Sequence, residues 1–128
     1  MNIIDAHSHL WLQQDTWVNG KRILSKQDGR SIFMDEEVQM LPPFMIEGKN
    51  TAEIFLSNMN YAQVGGAVVV QEIIDGNQNS YLQKVQEKYP NRFFCMGMAN
   101  DLEEAQAVCQ AGLKGIAFPG HRIQTPLT

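Results

Sequence analysis

His7 and His9, one residue apart near the start of the chain, are the side chains best placed to do chemistry. They close the apolar-rich run Ile3 to His9, which reads as a short β-strand. Strand side chains alternate between faces, so Asp5, His7 and His9 project the same way. The two histidines then stand roughly 6.5–7 Å apart at Cα. At that separation both imidazoles can converge on one cation near the carboxyl end of the strand, where parallel α/β architectures place their active sites. Imidazole nitrogen suits a divalent metal, zinc foremost. The plain alternative is a pair of polar strand-end residues satisfied by backbone groups or water. Two observations weigh against it. Histidine is poor filler for a buried strand face, and the pair directly precedes a long aromatic- and Met-rich stretch.

The elements that must hold these rings alternate along the chain. After the first strand comes a connection of about 40 residues, Trp11 to Lys49, with no sustained period of 2 or 3.6. A connection that long lines a site or forms a lid more often than it idles. Asn50 with Glu53 reads as the start of a helix, with Ala52, Phe55, Leu56, Met59 and Ala62 on its inner face and Gly65-Gly66 as its end. Ala67 to Val70 suits a strand buried on both faces. A polar loop, Asp75 to Asn79, leads into a second helix carrying Tyr81, Leu82, Val85 and Tyr89, which Pro90 stops. Phe93 to Met98 is a third strand. Asn100 with Glu103 starts a third helix with Leu102, Ala105, Val108 and Cys109 inside, closed by Gly112. Gly115 to Phe118 is a fourth strand, broken by Pro119-Gly120. Strands separated by single helices imply βαβ crossovers and a parallel sheet, either a small doubly wound sheet or a run of barrel units.

Several residues fall on the rim at the carboxyl ends of these strands. His121 and Arg122 follow the fourth, where His121 could touch substrate or a metal and Arg122 could clamp a carboxylate bidentately. Solvated loop residues are the competing reading for both. Gln71 and Glu72 follow the second strand; Gln71 is kept as a substrate contact, whereas Asn100 is assigned to helix capping. Asp5 has two available jobs, hydrogen-bonding a ligand histidine or accepting from backbone N–H groups. Trp11, Trp17, Met34, Met40, Phe44 and Met45 could cover a pocket or simply bury their connection against the sheet. Met34 to Glu37 reads as a solvated turn or the start of a short helix, without the alternating oxygen ligands of a calcium loop.

The opening segment Ile3-Ile4-Asp5-Ala6-His7-Ser8-His9-Leu10 resembles that of the amidohydrolase superfamily, and more closely its "amidohydrolase 2" branch. Tyr89-Pro90-Asn91-Arg92-Phe93-Phe94 is similar to that branch's lead into its third strand, and Gly112-Leu113-Lys114-Gly115-Ile116 to its lead into the fourth. The resemblance implies a (β/α)₈ barrel whose first strand donates two metal-ligating histidines, here His7 and His9. It also implies a hydrolase, of amidohydrolase or lactonase type, in which metal-activated water attacks a carbonyl. Within the same branch a metal-dependent decarboxylase is the alternative. A metal-free α/β interaction module, in which the histidine pair is structural, is the alternative outside enzymes.

A whole barrel needs about 250 residues, so the expected architecture is a partial TIM barrel of four strands and three helices in one domain. The branch's later ligands, histidines of the fifth and sixth strands and an aspartate of the eighth, have no counterpart in the sequence. Three explanations stand: an amino-terminal fragment, a half-barrel that pairs with a second copy to close its edges, or a non-catalytic remnant. The fragment is the favoured expectation, with homo-oligomerisation as the consequence of uncovered edges.

Composition narrows the partners. Ten basic against fourteen acidic residues give a formal charge of −4, which offers no general attraction for nucleic acid or anionic lipid. A small molecule bearing a carbonyl or carboxylate is the expected ligand. Two cysteines, Cys95 and Cys109, with no disulfide-type spacing, and a start without basic and apolar leader regions point to the cytoplasm. Both thiols are expected to be buried.

Overall fold

A computed structural model describes residues 3–119 of the chain. Strand β1 (Ile3–Ser8) is followed by four short strands, β2 (Asp15–Val18), β3 (Lys21–Ser25), β4 (Arg30–Phe33) and β5 (Glu36–Gln39). Helices and strands then alternate as α1 (Ala52–Tyr61), β6 (Val64–Val69), α2 (Asn79–Lys88), β7 (Phe93–Met98), α3 (Leu102–Gln110) and β8 (Gly115–Ala117). A single 3₁₀ turn, Ile73–Asp75, sits between β6 and α2.

The strands β1, β6, β7 and β8 form one parallel sheet in that order, with α1, α2 and α3 in the crossovers. This is a partial TIM barrel, half of a (β/α)₈ closure; the alternation of elements left a doubly wound sheet equally open, and the barrel is the layout that the family resemblance implied. Its core is built from both sheet and helices: Ala67, Val69, Phe93 and Cys95 pack against Met59 of α1, Leu82 and Val85 of α2 and Val108 of α3. Phe93 is fully buried, with Phe55 and Tyr89 rings about it at centroid distances of 6.3 and 5.9 Å. Burial also closes the Cys95 thiol to chemistry, pushing its pKa up to about 12. Both cysteines are free.

The stretch from Trp11 to Lys49 is more ordered than its lack of period predicts. The four strands β2 to β5 make an antiparallel meander. Its hairpins turn on residues of positive φ: Asn19 (51°) and Gly20 (74°) between β2 and β3, Met34 (54°) and Asp35 (69°) between β4 and β5. Such paired left-handed residues match the twist of two flanking strands. The middle connection holds Asp28 and Gly29, also at positive φ. Met34-Asp35 is therefore a turn, and Glu36-Glu37 is strand, not the start of a helix. Lys26 and Arg30 both pair with the Glu37 carboxylate across this sheet, and Lys26 first holds its pKa below the usual carboxylate value.

Helix ends also depart from the sequence reading. The α1 cap is Thr51, whose Oγ1 accepts from the Ile54 amide, and not Asn50. Gly65 and Gly66 belong to β6; the chain leaves α1 through Gln63 at φ 58°. Asp101, and not Asn100, caps α3 by accepting from the Glu104 amide at 2.9 Å, while Asn100 donates back to the Glu104 carboxylate. The inner face of α3 is Ala105 and Val108. Leu102 is 74% exposed and Cys109 is exposed, because both line an open flank beside Ile116 of β8. Among the described residues nothing covers that flank.

Candidate metal centre and adjoining cleft

Strand β1 runs beside β6 with one extra residue: Asp5 pairs with Ala67 and Ser8 with Val69. The bulge changes how β1 presents its last side chains. Ser8 turns inward, buried, with its hydroxyl donating to the Val68 carbonyl at 2.9 Å. Leu10 is buried in the core on the same side. His7 and His9 turn the other way, toward the rim at the carboxyl ends of the parallel strands. Their Nε2 atoms stand 3.2 Å apart, with ring planes inclined by 70°.

Each ring has a different support. His9 Nδ1 lies 2.9 Å from the Val70 carbonyl just beyond β6, and the Asn50 amide donates to the His9 carbonyl at 2.8 Å. The carbonyl of Val70 can only accept, so Nδ1 carries the proton and Nε2 is the nitrogen turned to His7. Asp5 does not reach either ring; its carboxylate accepts from the His7 backbone amide at 3.0 Å. Of its two candidate jobs, the structure shows the backbone one, and the ring-orienting partner is Val70.

A third donor comes from the loop after β6. One ligand atom each from His7, His9 and Glu72 lies within 4.8 Å of the other two. Two imidazoles and a carboxylate are a zinc-type donor set. Two nitrogens at about 2.0–2.1 Å from a tetrahedral ion stand about 3.3 Å apart, and the two Nε2 atoms are separated by 3.2 Å. The residues present thus fit a divalent cation. Glu72 is the residue that sequence reasoning passed over in favour of its neighbour.

That neighbour, Gln71, is buried and engaged elsewhere. Its Nε2 donates to Asn79 Oδ1 at 2.7 Å and the Met96 carbonyl at 3.1 Å, and its Oε1 accepts from the Gln78 amide at 2.7 Å. These bonds tie the start of α2 to β7. Both Nε2 hydrogens of Gln71 are taken by these bonds.

Trp11 is buried, donates from Nε1 to the Gly48 carbonyl at 2.8 Å, and bridges Asn50 through its backbone. With His9 it lines a cleft of about 690 Å³ between the segment Leu41–Asn50 and helix α1. Trp17 is not part of it and is 62% exposed on β2. His121 and Arg122 lie outside the described residues.

A buried acid stands behind the centre. Asp75, only 4% exposed, accepts from Gln14 Nε2 at 2.5 Å, and Thr16 donates to the Ile74 carbonyl at 2.6 Å. These contacts moor the antiparallel sheet to the parallel one. Desolvation raises the Asp75 pKa above the ordinary aspartate value, against the Gln14 hydrogen bond and the charge of His9.

Comparisons with known proteins agree with the fold. The amidohydrolase family model matches residues 4–128. Among solved structures, the chain is similar to a probable 2-pyrone-4,6-dicarboxylic acid hydrolase from Acinetobacter baumannii, solved with citric acid bound. The TM-score is 0.57 at 19% identity, over 91% of this chain. The chain spans 37% of the length of that protein. No curated protein matches. No helix among the described residues is long and apolar enough to cross a membrane.

Proposed function

The chain belongs to the amidohydrolase family, and from that premise we propose that it carries the first-strand portion of a metal-dependent hydrolase centre. His7, His9 and Glu72 hold the cation, with zinc favoured by their donor chemistry. The observation that carries this reading is the convergence of the two Nε2 atoms, 3.2 Å apart, with a carboxylate beside them. When bound, the ion supplies Lewis acidity, polarising a substrate carbonyl and lowering the pKa of water so that it can attack near neutral pH.

The protein's own residues prepare that step. The Val70 carbonyl holds His9 in the tautomer that leaves Nε2 free as a donor of electron pairs. The Asn50 amide fixes the His9 backbone from the opposite side. Glu72 brings negative charge to a centre whose other donors are imidazole nitrogens, which favours a doubly charged cation over a monovalent one. The substrate is a small molecule with a hydrolysable carbonyl, of lactone or amide type. The other ligands and the general base of a complete centre are to be sought beyond these residues.

Metal content tests the reading directly. The full 128-residue chain, incubated with zinc near neutral pH and desalted, should retain close to one zinc per chain by mass spectrometry. His7→Ala and His9→Ala should each lose it, and Glu72→Gln should bind more weakly. Folded wild-type protein that retains no zinc would overturn the assignment.

A further inference from the structure

We infer that the cleft beside His9 seats the apolar body of the substrate, so that the preferred substrate is a hydrolysable carbonyl compound bearing one alkyl or aryl group and not a polycarboxylate. The inference rests on the hydrolase reading and deepens it. The cleft has the volume of a small-molecule site, about 690 Å³ within the roughly 300–1,000 Å³ usual for such pockets. His9, one of the two convergent rings, is among its lining residues, so the cleft adjoins the metal centre at that side chain.

Its walls define the chemistry. Its apolar lining includes the buried Trp11, Leu41 and Met45 from the connection before α1, and Ile54 and Phe55 of α1 itself. Phe44 and Ile46 stand at the same cleft with 75% and 60% of their surfaces exposed. Large apolar side chains held in water around a concave site gain from covering by an apolar ligand. The charged side chains in the lining, Lys49 and Glu47, are paired with each other. No arginine lines the cleft among the described residues. The remaining polar side chains of the lining are His9 and the uncharged Asn50 and Asn58, so a ligand carrying several carboxylates would surrender hydration that this wall replaces only in part. An apolar tail loses nothing polar and contributes free energy with each buried methylene.

Binding to the metal-free full chain tests this without turnover. Trp17→Phe leaves Trp11, in the cleft, as the sole indole reporter. In the presence of EDTA this variant is titrated with γ-nonalactone, with its short congener γ-valerolactone, and with citrate. The expected result is saturable Trp11 quenching by γ-nonalactone, at least about tenfold tighter than γ-valerolactone, and no saturation by citrate. Adding Ile54→Asp, at a position already 38% exposed, should weaken γ-nonalactone at least about tenfold while zinc retention stays unchanged. Citrate binding tighter than the lactones, or indifference to Ile54→Asp, would overturn the inference. So would sedimentation showing that a second copy covers the cleft and that Ile54→Asp releases it without any lactone binding. Zinc retained without lactone binding defeats the cleft assignment alone. Lactone binding without zinc retention defeats the metal centre alone.

Discussion

His9 Nδ1 and the Val70 carbonyl, 2.9 Å apart, join the end of β1 to the end of β6. The bond spans two neighbouring parallel strands, and it ties ring orientation to strand register. It is seated beside a backbone pair, the Val70 amide donating to the Ser8 carbonyl at 2.9 Å. A slip of β1 against β6 would break both bonds, release the His9 ring from Val70 and shift both histidines relative to Glu72. The metal centre is thus a property of pairing between strands as much as of His7 and His9 themselves.

Zinc should for this reason stabilise the fold as well as occupy the site. A ligand that binds only the folded state at a hundred times its Kd adds about 2.7 kcal/mol. Differential scanning fluorimetry should show Tm rising with zinc in the wild type and unmoved in His7→Ala and His9→Ala. Imidazole must be neutral to ligate, so the shift should shrink as the buffer is made acidic. An equal shift in all three proteins would place the zinc elsewhere.

Gln71→Ala separates the structural and substrate roles of that side chain. Its removal leaves the Gln78 amide and the Met96 carbonyl without their partner in a half-buried setting. The expected cost is about 1–3 kcal/mol in urea denaturation, with zinc retention intact. A variant of wild-type stability that loses ligand binding would return Gln71 to the substrate site.

Much of the parallel half was legible from the chain itself. Phe93–Met98 is a continuous apolar run between Pro90 and Asn100, and β7 has those bounds. The convergence of His7 and His9 was legible too, since the two flank the inward-facing Ser8 and alternation turns both the other way. The antiparallel sheet was hidden by its short strands, four or five residues each. A run that short cannot establish a period, yet Asn19-Gly20 and Asp28-Gly29 are turn-forming pairs with a physical reason to be there. Glu72 was lost to a different cause. It and Gln71 follow the end of β6, where alternation no longer dictates facing, and only the hydrogen bonds of Gln71 decide which of them turns inward. Gly65-Gly66 misled because glycine is read as a helix stop, yet here both residues lie within β6 and the turn out of α1 is taken by Gln63 at φ 58°.

Gly97 tests the packing of α3 on β7. A Cβ there would meet Val108 Cγ1 at 2.4 Å and Leu113 Cδ1 at 2.9 Å. Both belong to the buried core and have little room to move. Gly97→Ala should cost about 1–3 kcal/mol through overpacking. Combining it with Val108→Ala, which removes the clashing methyls, should recover part of that loss in urea melts. Strictly additive losses would show that the crowding is not where the structure puts it.

Asp75 gives the fold a distinctive response to pH. Desolvation raises its folded pKa above the unfolded value, so the folded state binds the proton more tightly. Ionising Asp75 therefore works against folding. The penalty is fully present above the raised folded pKa, declines as pH falls through it, and is gone below the unfolded value. Asp75→Asn keeps a side-chain oxygen for Gln14 Nε2 while removing the charge. The Tm of Asp75→Asn minus that of the wild type, measured with EDTA present, should grow as pH rises from the acid range through the raised pKa and then level off. Gln14→Leu should lower the wild-type Tm most at the alkaline end, where the buried carboxylate loses the donor that opposes its desolvation. A difference between Asp75→Asn and wild type that stays flat, or falls as pH rises, would mean that Asp75 is better solvated than its 4% exposure indicates.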